Sequence, residues 1–250
     1  MKPFRILAFL ALAPIAISCY RHEPLNYADW YPPMDNSELV DESEGLMIMS
    51  SNVRFYSARN KASDPDKGNR DWEVRKVGYF KMINTMQPDA FGVQEAENIQ
   101  LQHIRENCPG YSYVGVGRND GAAKGESTAI FYKNDVLEVV DWGTKWHSTT
   151  PDVIGSYFVE NEDRQPRTST WAIFEERATG KRFFQINVHT SLYEASQAKE
   201  IQLITDIVKE KCPEGVPAVL TGDWNVEEDD SVMKPVNDSH TSARKTASKT

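Results

Sequence analysis

The chain has 250 residues, of which 40 % are hydrophobic and 26 % are charged. This composition is typical of a soluble globular domain and excludes a disordered, collagen-like or polytopic membrane protein. Lysines and arginines number 28 against 37 aspartates and glutamates, which gives a formal net charge of −9. With this charge we do not expect the broad basic surface that binding of duplex DNA requires.

The first residues have the parts of a secretory signal. Lys2 and Arg5 precede an apolar run over residues 6–17, which is shorter than the ~20 residues that span a bilayer. The run ends in Ala-Ile-Ser-Cys, which resembles a bacterial lipobox, so Cys19 is the predicted lipid attachment site. We expect residues 1–19 to be a signal peptide and the mature protein to lie in the bacterial cell envelope on a lipid anchor. If Cys19 carries no lipid, we expect the protein to be secreted instead.

Residues 20–45 are acidic, contain three prolines and show no apolar periodicity. This composition favours an extended tether that holds a domain away from the membrane. We therefore place the folded domain at residues 46–250, and no later segment resembles a linker between domains.

The domain contains patterns of both strands and helices. Strand patterns cover residues 46–53, 90–94, 111–116, 128–132, 136–142, 170–174, 183–188 and 216–221. Apolar residues at helical spacing are Trp72, Val74, Val77, Phe80, Ile83 and Met86, then Ile99, Leu101 and Ile104, then Ala198, Ile201, Ile204, Ile207 and Val208. Strands outnumber helices, yet both halves of the chain contain helices. The pattern predicts mixed sheets packed together with helices outside them.

Two cysteines lie in the body of the chain. Cys108 and Cys212 each follow a helical pattern and precede a proline. An oxidising compartment would permit a disulfide between them. Two separate buried thiols are the favoured interpretation.

Four predicted strands end in polar residues that packing does not require. The residues concerned are Asn52, Glu95, His189, Asp223 and Asn225. If the strands lie side by side, these ends converge on one pocket. Carboxylate and amide oxygens suit Mg²⁺ or Mn²⁺, which polarises a phosphoryl oxygen. We expect Glu95 to be a metal ligand and Asp223 to orient the attacking water.

The same segments resemble a known family, the endonuclease/exonuclease/phosphatase superfamily. The matching pieces occur in the family's order across residues 46–226: Met-Ser-Ser-Asn-Val at 49–53, Asp-Ala-Phe-Gly-Val-Gln-Glu at 89–95, Gly-Glu-Ser at 125–127 with Ile-Phe-Tyr at 130–132, Asn-Val-His at 187–189 and Gly-Asp-Trp-Asn at 222–225. The last stands for the family's Gly-Asp-Phe-Asn.

The resemblance implies an α+β four-layer sandwich, with two packed mixed sheets flanked by helices on both outer faces. It also implies a divalent-metal phosphoesterase that is either a phosphodiesterase or a phosphatase. By position, Glu95 and Asn52 resemble the metal ligands and His189 the histidine on the scissile phosphate. Asp223 and Asn225 resemble the pair that orients the nucleophile and the phosphate. Arg167 resembles a phosphate-contacting arginine, with a solvated arginine as the alternative.

The chain departs from the family at two places. His189 is followed by Thr-Ser-Leu, where many bacterial members have an acid two residues on. The family's final strand and Ser-Asp-His motif have no counterpart, and the segment that ends at His240 does not replace them. We expect the last strand to be missing from a truncated enzyme, so that these 250 residues are nearly inactive. The alternative is a non-catalytic lipoprotein that binds a phosphate ligand.

The charge also bears on the substrate. A small phosphate ester, a nucleotide or a phospholipid head group fits a net charge of −9 better than strong binding of duplex DNA. We expect a monomer that reaches the membrane only through its lipid. A secreted glycosidase using two carboxylates is a second alternative, and activity that survives chelation would distinguish it from a metal-dependent phosphoesterase.

Overall fold

A computed structural model describes residues 7–10, 45–56 and 71–246, and its elements are both strands and helices. The strands are β1 (Leu7–Leu10), β2 (Met47–Asn52), β3 (Ala90–Gln94), β4 (Ala96–Glu97), β5 (Tyr111–Val114), β6 (Glu126–Ser127), β7 (Ile130–Lys133), β8 (Leu137–Trp146), β9 (Thr168–Glu176), β10 (Arg182–His189) and β11 (Ala218–Asp223). The helices are α1 (Trp72–Met86), α2 (Asn98–Asn107), α3 (Glu194–Lys211), α4 (Lys234–Asn237) and α5 (Ala243–Thr246), with a 3₁₀ turn at Ser231–Met233.

The strands form two main mixed sheets. The first has the order β1-β2-β3-β7-β5, in which β1, β2 and β3 are parallel and β7 is antiparallel to both of its neighbours. The second has the order β11-β10-β9-β8, in which only β10 and β11 are parallel. A short antiparallel pair, β4 and β6, lies beside the first sheet.

The two sheets pack face to face and each covers its outer face with helices. The core between them joins Ile48 and Ala90 of the first sheet to Phe174 and Val219 of the second. Met49 and Phe91 point the other way and pack with α1 and α2, because side chains alternate along a strand. The outer face of the second sheet packs on α3. The structure is therefore the predicted four-layer α+β sandwich.

The buried faces of the helices differ in part from the sequence pattern. On α1, Trp72, Phe80 and Ile83 are buried, whereas Val77 is 66 % exposed and Val74 is 37 % exposed. At 100° per residue, Val74 lies on the opposite side of the helix from the other three. Ile99 on α2 and Ala198 on α3 are exposed as well, so apolar residues at helical spacing include some that lie outside the buried face.

The two cysteines lie in separate places. Cys108 is fully buried against α1 and α2, while the half-buried Cys212 packs against the second sheet at the end of α3. Both thiols are free. The prediction of two separate thiols is confirmed, although Cys212 is less buried than expected.

The predicted leader and tether fall mostly outside the described residues. Cys19 and residues 20–44 lie outside them. Within the leader, the backbone of Leu7–Leu10 forms β1 and pairs with β2 from Met47 to Ser50. Across the part of the chain that the structure describes, no helix is both long and apolar enough to cross a bilayer.

Candidate active site

The candidate site lies where strands of the two main sheets end. Asn52 ends β2 and is the register partner of Gln94, which ends β3. His189 and Asp223 end β10 and β11 and are register partners as well. Because the strands of each pair are parallel, their carboxyl ends lie at one edge of the sheet. Packing of the sheets then brings the two edges together.

Three side chains at this edge form a possible metal site. Glu95, His189 and Asp223 each offer one ligand atom, and the three atoms lie within 4.8 Å of one another. Within the described ranges this is the only such group of three. Two carboxylates held this close repel each other unless a cation lies between them. Their oxygens suit Mg²⁺ or Mn²⁺, so the residues present fit a divalent metal.

Asn52 bridges the two carboxylates. Its Nδ2 donates to Glu95 Oε1 and to Asp223 Oδ2, each at 2.8 Å. Its Oδ1 accepts from the backbone N–H of Arg54 at 2.7 Å, which fixes the orientation of the amide. The nitrogen of Asn52 therefore faces the carboxylates, whereas a metal ligand would present its oxygen. The structure places Asn52 at the site as a hydrogen-bond donor that holds Glu95 and Asp223 together.

The backbone around Glu95 is unusual and positions its side chain. Glu95 has φ of 61°, in the left-handed region that residues other than glycine rarely adopt. This turn directly after β3 directs the carboxylate towards Asn52, and Glu95 Oε2 also accepts from the backbone N–H of Phe55 at 3.1 Å. Such strain persists only where surrounding contacts hold it in place, and it is concentrated at functional sites.

Asn225 holds the loop that follows β11. It also has positive φ, of 48°, and its backbone N–H donates to Asp223 Oδ1 at 3.1 Å. Its side-chain Nδ2 donates to the backbone oxygen of Thr190, just after His189, at 2.9 Å. Asn225 therefore links the ends of β10 and β11. Its side-chain nitrogen is bonded to the backbone of Thr190 and does not point into the pocket as a free donor.

His189 and Arg167 are in contact beneath the site. Arg167 Nη1 lies 3.2 Å from His189 Nε2, and both residues are buried. The contact arises because Thr168, the first residue of β9, is the register partner of His189. Burial, reinforced by the positive charge of Arg167, lowers the pKa of His189 to about 4 against the opposing effects of Asp223 and Glu95. The imidazole is therefore neutral at pH 7.

Two further residues of the site were missed by sequence reasoning. Arg118 makes a two-pronged ion pair with Glu126, with Nη1 at 2.8 Å from Oε2 and Nη2 at 3.1 Å from Oε1. Glu126 Oε2 in turn lies 3.9 Å from His189 Nδ1. Glu126 belongs to the Gly-Glu-Ser match, but no role was assigned to it. The sequence did contain a signal for Arg118, because this arginine lies in the same glycine-rich loop as Glu126.

A buried polar network supports the site from below. Asn187 Nδ2 donates to the backbone oxygens of Val93 and Ala129 at 2.9 and 3.0 Å, and its Oδ1 accepts from Gln94 Nε2 at 2.6 Å. These bonds join β10 of the second sheet to β3 and the start of β7 in the first. Because an unpaired buried polar group is costly, the network fixes how the sheets meet.

His240 is not part of the cluster. Its Nδ1 lies 2.9 Å from Ser239 Oγ, and its backbone N–H donates to Val236. Burial lowers the pKa of this imidazole. The expectation that this segment does not replace the family's final motif stays a prediction.

A model of the Endonuclease/Exonuclease/phosphatase family matches residues 49–240, a range that contains every residue of the site. The chain belongs to the endonuclease/exonuclease/phosphatase family. Members of this family are hydrolases that act on phosphate esters, and they generally depend on a divalent metal. A possible metal site at Glu95, His189 and Asp223 agrees with that chemistry.

Solved structures of family members share the fold. An endonuclease/exonuclease/phosphatase from Bacteroides vulgatus is 32 % identical, with a TM-score of 0.69 over 76 % of this chain and 70 % of that chain. A mannosyl-6-phosphatase from Bacteroides thetaiotaomicron is also 32 % identical, with a TM-score of 0.68 over 75 % of this chain and 68 % of that chain. The catalytic domain of human nocturnin, 16 % identical with a TM-score of 0.59 over 77 % of this chain and 68 % of that chain, shares the fold alone.

A curated relative is known from a virus. An uncharacterized protein of Acanthamoeba polyphaga mimivirus is 27 % identical over 161 residues, which are 63 % of this chain and 60 % of the viral protein. The chain thus spans about 60 % of the length of this curated relative.

Proposed function

We propose that this protein is a divalent-metal-dependent hydrolase of a small phosphate ester. One observation carries the proposal: Glu95, His189 and Asp223 present three ligand atoms within 4.8 Å of one another at the meeting point of the two sheets. Family membership supports the reaction class. It also favours a phosphoesterase over the glycosidase that the carboxylates alone left open.

Glu95 and Asp223 would hold the cation, with His189 at its edge. A bound Mg²⁺ or Mn²⁺ would act as a Lewis acid on a phosphoryl oxygen and neutralise developing charge. Asn52 would contact the two carboxylates and not the cation, because its Nδ2 donates to both of them and restrains them. Loss of such a supporting contact commonly costs about 10–100-fold in metal affinity.

Asp223 and His189, together with Asn225 and Arg167, would also bind and orient the reactants. Asp223 accepts a hydrogen bond from water and so directs its oxygen towards phosphorus, while Asn225 fixes the carboxylate through the 3.1 Å bond to Oδ1. Neutral His189 donates a hydrogen bond to a phosphoryl oxygen as negative charge develops there. Arg167, buried against His189, supplies a positive charge to the phosphate.

The substrate that we propose is a small anion and not a nucleic acid. The formal net charge of −9 opposes wide contact with duplex DNA. A 32 % identical relative is a mannosyl-6-phosphatase, so a sugar phosphate joins nucleotides and phospholipid head groups as a candidate. We further propose that the protein acts as a monomer at the cell envelope, held by a lipid on Cys19.

The first test is metal binding, measured as the change in Tm on adding MnCl₂ or MgCl₂. We expect the Tm of the wild type to rise, because a ligand at 100 times its Kd adds about 2.7 kcal/mol to the free energy of unfolding. Glu95→Gln should abolish the rise. Glu162→Gln is the matched control, because Glu162 is exposed and lies outside the site.

The second test is hydrolysis of phosphomonoesters, phosphodiesters and phospholipids by the longest product of the gene, with and without EDTA. We expect EDTA to abolish hydrolysis and Mg²⁺ or Mn²⁺ to restore it. Glu95→Gln should cost more than the ~10–100-fold typical of an outer-shell contact. Hydrolysis that survives chelation, or a Glu95→Gln variant as active as Glu162→Gln, would contradict the proposal. Phosphate binding without any turnover would favour the non-catalytic lipoprotein.

A further inference from the structure

The segment that joins β8 to β9 is long and irregular. It covers residues 147–167 and contains turns but no helix or strand. A loop of this length is uncommon inside a compact domain and usually has a function. It leads directly into Arg167, and it contains Asn161, which is only 1 % exposed. A buried amide needs hydrogen-bond partners at both of its ends, so the partners of Asn161 show which parts of the chain it holds together.

The side chain of Asn161 joins two segments of the chain. Its Oδ1 accepts a hydrogen bond from Ser191 Oγ at 2.8 Å, and its Nδ2 donates to the backbone oxygen of Gln165 at 2.5 Å. A backbone oxygen can only accept, so this bond fixes which end of the amide faces Ser191. One end of the side chain therefore contacts the segment after β10, and the other end contacts the segment before β9.

The contact with Gln165 closes a tight turn that contains a partner of Arg167. Within the turn, the backbone N–H of Arg164 donates to the backbone oxygen of Asn161 at 2.9 Å. Arg164 has φ of 55°, which residues other than glycine rarely adopt. Asp163 lies in the same turn, and its Oδ2 is 3.5 Å from Arg167 Nη2. Asn161 thus holds the turn in the shape that brings Asp163 to Arg167.

The contact with Ser191 places this turn relative to His189. Ser191 is fully buried and lies two residues after His189. Its backbone N–H donates to Glu200 Oε2 at 2.7 Å, and its backbone oxygen accepts from Gln197 Nε2 at 2.9 Å. Because Glu200 and Gln197 belong to α3, the segment after β10 is fixed to that helix. Asn161 attaches the turn to this fixed segment.

Arg167 depends on such support, because its own contacts are long. Its side chain is 7 % exposed, and its Nη1 and Nη2 lie 3.2 Å from His189 Nε2 and 3.5 Å from Asp163 Oδ2, respectively. A charge-assisted hydrogen bond is usually about 2.7–2.9 Å long. The Nε of Arg167 is buried and has no hydrogen-bond partner among the described residues. The two segments that surround the guanidinium therefore place it, and not a strong ion pair of its own.

We propose that Asn161 is a positioning residue that sets the place of Arg167 against His189. The inference rests on the proposed phosphoesterase function, in which Arg167 contacts the substrate phosphate. Asn161 holds the turn that contains Asp163 and the segment that follows His189 at a fixed separation, and it acts on the phosphate only through Arg167. Without this hold, Arg167 can shift within the site, and a displacement of about 1 Å can cost about 100-fold in rate.

Steady-state kinetics on the longest gene product, with p-nitrophenyl phosphate and Mn²⁺, tests whether Asn161 acts through Arg167. We expect Asn161→Ala to lower kcat/KM about 10–100-fold and to change the Mn²⁺ affinity by less than about 2-fold. In an Arg167→Gln background, the same substitution should lower kcat/KM by no more than about 2-fold, because no guanidinium is left to position. A merely structural role predicts that the two losses add, and additive losses would overturn the proposal.

Two controls separate this effect from a general loss of stability. Asn134→Ala is the same change at an exposed position that follows β7. Ile207→Val removes one methyl group from the buried face of α3, in the core beneath the second sheet. Both should keep kcat/KM within about 2-fold of the wild type, and a loss in Ile207→Val as large as that in Asn161→Ala would overturn the proposal. Ser191→Ala removes the same hydrogen bond from its other end and should reproduce the loss of Asn161→Ala.

A measurement that needs no turnover is hydrogen exchange of the Arg167 Nε–H, followed by heteronuclear NMR. Its signal is assigned by its absence from Arg167→Lys. Because this group is buried, we expect slow exchange in the wild type and exchange about 10-fold faster in Asn161→Ala and Ser191→Ala, as the loss of one hydrogen bond predicts. Unchanged exchange in both variants would overturn the proposal. If the wild type hydrolyses no ester in a metal-dependent way, the phosphoesterase function fails, and the exchange rates alone then decide whether Asn161 positions Arg167.

Discussion

The side-chain amide of Asn52 donates to a carboxylate oxygen of Asp223 at 2.8 Å, across 171 positions of sequence and from one main sheet to the other. The same nitrogen donates to Glu95. The separation of the two carboxylates therefore depends on how the two sheets pack, and Asn52 is the direct bridge between them.

This bridge predicts that Asn52→Ala weakens binding of Mn²⁺ about 10–100-fold, because Glu95 and Asp223 lose the donor that restrains them both. Calorimetric titration with MnCl₂ measures the effect. Asn134→Ala is the control, since Asn134 is exposed and distant in the fold from the strand ends. Unchanged Mn²⁺ affinity in Asn52→Ala would show that packing alone holds the carboxylates.

The pH dependence of stability should depend on Glu200. Burial raises the pKa of this carboxyl, but hydrogen bonds from His147, Ser196 and the backbone of Ser191 outweigh it, so the pKa lies below its ordinary value of 4.5. His147 Nδ1 lies 3.2 Å from Glu200 Oε2. A lowered pKa in the folded state means that the carboxylate stabilises the fold above its ordinary pKa. The stabilisation is lost as the pH falls through the folded-state pKa.

Glu200→Gln should therefore lower the free energy of unfolding by about 1–3 kcal/mol at pH 7, because the buried donors of Ser191 and Ser196 lose their charged acceptor. The difference from the wild type should shrink as the pH falls from the ordinary pKa of 4.5 through the folded-state pKa. Urea unfolding at a series of pH values measures it. The exposed Glu214 provides a control, as Glu214→Gln. A difference that does not vary with pH would contradict the assignment.

Gly92 allows the two sheets to approach. A Cβ at this position would lie 2.4 Å from Asn187 Oδ1, closer than any real contact. Gly92→Ala should therefore cost about 1–3 kcal/mol through overpacking. Urea unfolding of Gly92→Ala, Asn187→Ala and the double variant tests the contact, because shortening Asn187 removes the nearer of two clashes, the other being with Thr221 Oγ1 at 2.7 Å. The two single losses should sum to more than the loss in the double variant, and strictly additive losses would rule the contact out.

The two cysteines of the domain should differ in reactivity. Cys108 is fully buried, and burial raises its pKa to about 11, so iodoacetamide at pH 7.5 should leave it unmodified in the native protein. Cys212 is only half buried, although burial raises its pKa too. We expect Cys212 to be labelled first and both to be labelled after denaturation without a reductant, as measured by peptide mass spectrometry. Labelling that requires a reductant would indicate a disulfide.

Much of the fold could be predicted because local pattern and burial agree. The five residues of β3 are apolar or small up to Gln94 and are all buried, since a strand between two layers has no solvent face. The bounds of α1 follow from its capping aspartate, Asp71, and from the Gln-Pro at 87–88 that ends it. The exposed Val77 shows the limit of predicting burial from sequence, because apolar spacing alone does not reveal which side of a helix packs against another element.

The strand ends that carry the chemistry could be located in the sequence, because Asn52, Glu95, His189 and Asp223 each end or directly follow an apolar strand. How these residues act depends on the tertiary structure. It turned the nitrogen of Asn52 towards the carboxylates, engaged Asn225 with Thr190 and brought Arg118 into the pocket beside His189. These outcomes depend on contacts between residues far apart in the chain. A hydrogen bond across two packed sheets has no signature in the local sequence.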